Sequence, residues 1–213
     1  MAAEASTLEP NRLGANLIYV EQFLAAEEAT QLMQRLLSAV AFDTAEQSRV
    51  RIHGRWLPIP RQQTAYGDPG TSYRFSGCTV PARPWIEPLT SLRRLLLKRQ
   101  GIGSNFVLIN HYRNGADSIG WHADDERDLG AAPTIASLSL GAARAFQLRR
   151  RQGSTAVASA IHSLVLAHGS LLIMRDPTNK LFNHQLPKAG GQHSERIGPR
   201  LNLTWRMISA DSW

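Results

Sequence analysis

Six short apolar segments in the second half of the chain constrain its fold more than any other feature. From residue 104 onward NFVLINHY, TIASLSL, AFQLRR, SLVLAHGSLLIMRD, LFNHQLP and RLNLTWRMI follow one another, each ended by a polar or glycine-containing turn. That spacing predicts a β-sandwich, jelly roll or barrel. The first half reads differently. NLIYVEQF predicts a strand feeding a helix over about 25–40, where Leu32, Met33, Leu36, Leu37 and Val40 recur at helical spacing and are expected on the core. A second helix is expected from Pro84 to Gln100, with Pro84 near its first turn, Ile86, Leu89, Leu92 and Leu96 on one face, and Gly101 as its stop. Between the helices, residues 49–80 are rich in Arg, Gly, Pro and aromatics, and predict short strands with His53 and Gly54 at a hairpin tip. Residues 1–15 lack periodicity and are expected to form a flexible arm. With no repeat, low-complexity tract or linker, 16–213 is expected to be one domain.

Composition excludes two classes. A lone cysteine, Cys78, cannot form an internal disulfide, and the start MAAEASTLEP has neither the basic nor the apolar region of an export signal. An intracellular, reducing location is expected. The most apolar stretch, SLVLAHGSLLIM, is broken by His168 and Gly169 and falls short of the ~20 residues of a membrane span. The balance of 24 Lys plus Arg against 17 Asp plus Glu, a formal charge of +7, points toward a polyanionic partner. Basic runs at Arg49 to Arg61, at Arg93 to Arg99 and at Arg149 to Arg151 fit such a partner and equally fit a solvated face.

Inside this basic chain, GWHADDERD at 120–128 concentrates carboxylates beside a histidine. Side chains alternate in extended backbone, so His122 and Asp124 point the same way and can grip one ion. Two ligands are too few. His184 in FNHQLP lies far enough along to occupy a neighbouring strand, and two histidines with one carboxylate make a facial triad that leaves positions open, as non-haem Fe(II) chemistry requires. The competing reading is a structural His–Asp pair. No ligand role is assigned to His53, His111, His162, His168 or His193.

The strand RLNLTWRM carries the second signal. Alternation puts Leu201, Leu203, Trp205 and Met207 on one face, and Arg200, Asn202, Thr204 and Arg206 on the other. Two arginines aimed the same way from a good strand are costly to cover unless an anion meets them, and a guanidinium fork suits a small dicarboxylate. Asn110 and Tyr112 share a face of FVLINHY and offer neutral hydrogen bonds to the same ligand. A polar outer face in water is the alternative.

HxD at 122–124, His184, NxY at 110–112 and RxNxTxR at 200–206 together resemble the AlkB family of Fe(II)- and 2-oxoglutarate-dependent nucleic-acid dealkylases, in its eukaryotic-type DNA-repair branch. PRQQTAYGD, YRFSG, PWIEPL, HADDER, IASLSLGA and PRLNLTWR carry the likeness in order across about 16–208. The resemblance implies a β-dominated α+β fold, a double-stranded β-helix (jelly roll) with flanking helices on one side. It implies Fe(II) on His122, Asp124 and His184. It also implies 2-oxoglutarate held by Asn110, Tyr112, Arg200, Asn202, Thr204 and Arg206, with O₂ as the second cosubstrate. The implied activity is oxidative dealkylation of bases such as 1-methyladenine and 3-methylcytosine in DNA, releasing formaldehyde and succinate.

For the substrate, the resemblance implies a lid over 49–80 whose tip, His53 and Gly54, wedges the duplex. Arg51, Arg55 and Arg61 would neutralise phosphates; Tyr73 and Phe75, with Arg74 between them, would line the extracted base, and Asp125 would touch it. Glu126 and Asp128 are expected to be surface or supporting groups. The implied partner is DNA, possibly RNA, without a membrane, and the chain is expected to be a monomer, cytoplasmic in a bacterium or nuclear in a eukaryote. Rival readings are an RNA demethylase or protein hydroxylase of the same class, a zinc hydrolase, and a non-catalytic nucleic-acid-binding domain.

Overall fold

The computed structural model describes residues 9–44, 48–52, 54–75, 78–151, 160–189 and 194–209. The expected arm, 1–15, is tied down from Glu9 on: α1 (Glu9–Arg12) makes one helical turn, and Asn11 both donates to the Leu17 carbonyl and accepts from the Leu17 N–H. The expectation of a loose segment therefore fails for 9–15. Short polar capping of this kind leaves no periodicity to read. β1 (Asn16–Val20) leads into α2 (Ala26–Ala39), which buries Ala29, Leu32 and Leu36. Leu37, expected on the core, is 37% exposed.

A basic hairpin follows, β2 (Arg49–Ile52) paired antiparallel with β3 (Arg55–Pro58). Then come β4 (Gln62–Gly67), the ribbon of β5 (Ser72–Phe75) and β6 (Cys78–Pro81), and a two-residue strand, β7 (Arg83–Pro84). Pro84 is thus in a strand beside Gly67, not in a helix. The helix α3 (Glu87–Gln100) starts later, with Pro88 in its first turn, because a proline there gives up an N–H that has no intrahelical partner anyway. It stops at Gly101, whose φ of 67° is the left-handed conformation that glycine adopts without a Cβ penalty.

The remaining strands are β8 (Phe106–Tyr112), β9 (Ile119–His122), β10 (Ile135–Gly141), β11 (Arg144–Arg150), β12 (Ile161–Leu166) and β13 (Leu171–Arg175). After the short helix α4 (Thr178–Leu181) come β14 (Phe182–Leu186) and β15 (Arg200–Arg206). Among the described residues they build a seven-stranded sheet, β1-β13-β10-β15-β8-β4-β7, and a four-stranded sheet, β12-β11-β14-β9. From β8 to β15 the chain alternates between the sheets except at the β11–β12 hairpin, as in a jelly roll. SLVLAHGSLLIMRD, read as one segment, is two strands that turn at His168 and Gly169. His168 closes the turn, accepting from the Gly141 N–H at Nδ1 (2.8 Å).

Two apolar clusters hold the layers. Leu32, Leu36, Leu89, Leu92 and Leu96 of the helices pack on Val107, Ile109, Leu138, Leu201, Leu203 and Trp205 of the larger sheet. Phe106, Leu108, Ile135, Leu172 and Met174 meet Phe146, Leu148 and Phe182 between the sheets. The helices therefore cover one face and leave the inner face to the second sheet. At one end that inner face turns polar. All seven residues of β15 are buried: its leucines and Trp205 go to the helices, and Arg200, Asn202, Thr204 and Arg206 go inward. Met207 lies past the strand end and is 51% exposed, so alternation no longer governs it. No helix among the described residues is long and apolar enough to cross a membrane.

Candidate active site

The inward polar residues line a cleft of about 530 Å³ between the sheets. His122 ends β9, and its Cα partner across the antiparallel pair with β14 is His184. Direct pairing places both imidazoles on one face, with ring centroids 4.2 Å apart. Asp124 lies beyond the strand end, where a backbone bond to Asn179 Oδ1 (3.4 Å) holds it. The possible ligand atoms of His122, Asp124 and His184 all lie within 4.8 Å of one another. The strand continuation assumed for HxD is unnecessary, because the turn still brings the carboxylate round.

This donor set fits a divalent transition metal with open positions. His122 Nδ1 donates to the Gly120 carbonyl at 2.9 Å, which leaves Nε2 as its lone-pair nitrogen. His184 Nδ1 is buried without a hydrogen-bond partner among the described residues. Burial and then the neighbouring His122 push the His184 pKa down to about 3, and burial lowers His122, so both rings are neutral and able to ligate. For Asp124, burial acts upward, but Arg206 and the two histidines overcome it and hold the carboxyl at about 2. Arg206 Nη2 donates to Asp124 Oδ1 at 2.9 Å, and both side chains are 4% exposed.

Next to this cluster runs the cationic slot. On β15, Arg200 pairs across with Tyr112 and Asn202 with Asn110, so the four inward residues of two strands form one patch. The Arg200 guanidinium is 5.3 Å from the Tyr112 ring centroid, and its Nη2 donates to Ser139 Oγ at 2.9 Å. Its Nε and Nη1 are buried with no acceptor among the described residues. A cation buried without a carboxylate is what a dicarboxylate site requires. Asn202 donates to Ser137 Oγ (2.8 Å) and accepts from the Thr204 hydroxyl (3.2 Å). The sequence reading missed Ser137 and Ser139, although alternation in IASLSL puts them on one face beside β15.

The substrate side is only partly as expected. Tyr73 lines the cleft but is 2% exposed: its hydroxyl donates to Glu126 Oε2 at 2.5 Å, and Arg206 lies 4.6 Å from its ring centroid. Burial, with Asp124 next, raises Glu126 to about 6. Asp125 lines the same cleft and accepts from Arg151 Nη1, which also donates to the Asn179 carbonyl. Arg74 pairs with Asp128 at 3.1 Å, and Asp128, expected to be a surface or supporting group, is 6% exposed. Arg61, expected to neutralise phosphate, is buried. It is 6% exposed and donates to Asn110 Oδ1 (2.7 Å) and the Ser118 carbonyl (3.3 Å), inside the cleft wall. Gly54 and Arg55 are exposed at the hairpin. His53 lies outside the described residues, as do the side chains of Arg51 and Phe75.

Comparison with known proteins agrees with this geometry. The sequence model of the 2OG-Fe(II) oxygenase superfamily matches residues 16–206. The human DNA oxidative demethylase ALKBH2 is 42% identical over 184 residues, covering 85% of this chain and 69% of that protein. The human alpha-ketoglutarate-dependent dioxygenase alkB homolog 3 is 34% identical over 195 residues, 89% of this chain and 65% of that one. The solved structure of OsALKBH1 superposes with a TM-score of 0.60 at 16% identity, covering 96% of this chain and 100% of that chain, a likeness of fold. The superfamily works with Fe(II) and 2-oxoglutarate, and the neutral imidazoles, the Asp124 carboxylate and the unpaired Arg200 suit both. On these grounds the chain belongs to the 2OG-Fe(II) oxygenase superfamily, among its AlkB homologues.

Proposed function

We propose that this chain removes alkyl groups from N-alkylated bases in DNA, of the 1-methyladenine and 3-methylcytosine kind, consuming 2-oxoglutarate and O₂. The observation that carries the reading is a His₂–carboxylate cluster beside a buried guanidinium with two nitrogens that have no acceptor among the described residues. A zinc hydrolase has no use for that cation, and a pure binding domain has no use for the cluster. The named activity of the ALKBH2 relatives supports DNA as the substrate.

In this reading His122, Asp124 and His184 hold the iron. Arg200 grips the distal carboxylate of 2-oxoglutarate, while Asn110, Tyr112, Asn202 and Thr204 complete the slot. Arg206 neutralises Asp124 and fixes its orientation through a bond that survives burial because both partners are charged. When bound, iron and 2-oxoglutarate supply the oxidation of an N-alkyl carbon, with succinate, CO₂ and formaldehyde as products. The protein contributes ligand geometry, exclusion of water and placement of the base.

The target base must leave the helix to reach the cleft. In this reading Asp125 and Tyr73, which line the cleft, meet the base together with Arg74 and Phe75, while His53, Gly54 and Arg55 act on the duplex. The +7 charge favours the polyanion, and the lone Cys78 suits a reducing intracellular compartment. The continuous main sheet from β1 to β15 supports treating 16–213 as one domain.

The test is release of succinate and formaldehyde from DNA, RNA and peptide substrates, each with and without N-methylation, in the presence of Fe(II). The reading expects turnover that depends on the lesion and prefers DNA. Preference for RNA or peptide, or activation by zinc, would replace it with a rival.

A further inference from the structure

Arg61 immediately follows the β2–β3 hairpin, whose basic composition makes it look like a phosphate contact. Its surroundings do not support that role. It is 6% exposed, and among the described residues no carboxylate lies within ion-pair distance; it donates to an amide oxygen and a backbone carbonyl. A guanidinium can only donate. Because its Nε bonds to Asn110 at 2.7 Å, the amide of Asn110 is forced to turn Oδ1 toward Arg61. The Nδ2 donors of Asn110 are thereby left for the cleft that Asn110 lines, directly across the strand pair from Asn202. Among the described residues Arg61 is the hydrogen-bond partner that selects between the two orientations of the amide, and the wrong one would aim a lone pair at an anion.

A second tie accompanies the first. Arg61 Nη1 donates to the Ser118 carbonyl, and the Ser118 N–H donates to the carbonyl of Pro60. Ser118 immediately precedes β9, the strand that delivers His122. One residue thus joins the foot of the hairpin, the cosubstrate wall and the strand that carries a metal ligand.

We infer that Arg61 is a positioning residue of the 2-oxoglutarate pocket, orienting Asn110 as a donor and adding positive charge for the dicarboxylate, and does not contact DNA phosphate. This deepens the proposed function and rests on it. The experiment is calorimetric titration of 2-oxoglutarate into Mn(II)-loaded wild type, Arg61→Met and Arg61→Lys, paired with salt-dependent binding of a methylated oligonucleotide.

Arg61→Met is expected to weaken 2-oxoglutarate roughly tenfold or more, the scale of one lost bond to a charged group. Arg61→Lys is expected to recover part of that, since an ammonium also selects the amide oxygen. The slope of oligonucleotide affinity against salt should stay at the wild-type value. Unchanged 2-oxoglutarate affinity with a shallower salt slope would overturn the inference in favour of a phosphate contact. Equal loss in both variants alongside a lowered melting temperature would overturn it in favour of a purely structural role. If wild type itself binds no 2-oxoglutarate, the proposed function fails and not merely this part of it.

Discussion

Replacing Arg200 with methionine separates what this side chain costs the fold from what it gives the site. Arg200 is 1% exposed, has one bond to Ser139 and has two nitrogens without acceptors. Burial pushes its pKa down to about 10, against the upward pull of Tyr112, so it is still charged at neutral pH and no carboxylate among the described residues pairs with it to offset its desolvation. Exchanging buried ionic groups for apolar residues of similar volume is often neutral or stabilising by ~1–4 kcal/mol. The Ser139 hydroxyl left behind returns about 1 kcal/mol of that. The ligand-free variant should therefore be at least as stable as wild type.

Binding moves the other way. Two charge-assisted bonds to a carboxylate are worth about 1.5–3 kcal/mol each, or about 3–6 kcal/mol together. At about 1.4 kcal/mol per decade that weakens 2-oxoglutarate by roughly 10² to 10⁴-fold. Urea unfolding of ligand-free protein gives the first quantity. The stabilisation by added 2-oxoglutarate in Mn(II)-loaded protein, which follows the logarithm of ligand concentration over Kd, gives the second. An Arg200→Met protein that loses stability yet keeps its affinity would refute the reasoning on both counts.

Other substitutions test separate links. Asp124→Ala strands the buried Arg206 and should cost ~3–5 kcal/mol in urea unfolding of metal-free protein, as well as abolishing Mn(II) binding; His122→Ala should lose the metal with no such stranded charge. Gly141 has a φ of 93°, and a Cβ there would meet the Pro199 carbonyl at 2.3 Å, so Gly141→Ala should destabilise by ~1–3 kcal/mol in the same assay. Burial acts upward on the Asp117 carboxyl, but bonds from the Arg113 side chain and backbone, with its charge, prevail and hold it below the ordinary value. A depressed folded pKa contributes stability that is complete above the unfolded value near ~3.9 and fades as pH falls through the folded one. The stability gap between wild type and Asp117→Asn should therefore narrow on acidification below about pH 4, and a gap independent of pH would contradict the assignment.

Much of the site was legible because it is built on strands, whose period of two can be read without knowing their neighbours. RLNLTWR sorted itself into a core face and a ligand face, and β15 divides in that way. His122 and His184 were harder, since only the register between β9 and β14 makes them adjacent; the sequence supplied candidates and the sheet supplied the pairing. Where regular structure ends, alternation fails, as at Met207 and at Asp124.

The burial of Arg61 was not legible for a different reason. It sits among exposed arginines in sequence, but the chain turns inward after Pro60 and carries it into the wall between Asn110 and Ser118. For Asp128 the choice between a surface and a supporting group stayed open in the sequence because its partner, Arg74, comes from a ribbon 54 residues earlier. Pro84 and Pro88 are both plausible helix starters, and only the pairing of β7 with β4 decides between them.

The most direct test of the account is a crystal structure of the protein grown with Mn(II) and 2-oxoglutarate. The ion should sit on His122, Asp124 and His184 at the ~2.0–2.2 Å typical of nitrogen and oxygen ligands to such metals, with the far carboxylate of the diacid on Arg200 Nε and Nη1. An ion bound elsewhere, or a diacid that leaves Arg200 untouched, would contradict it.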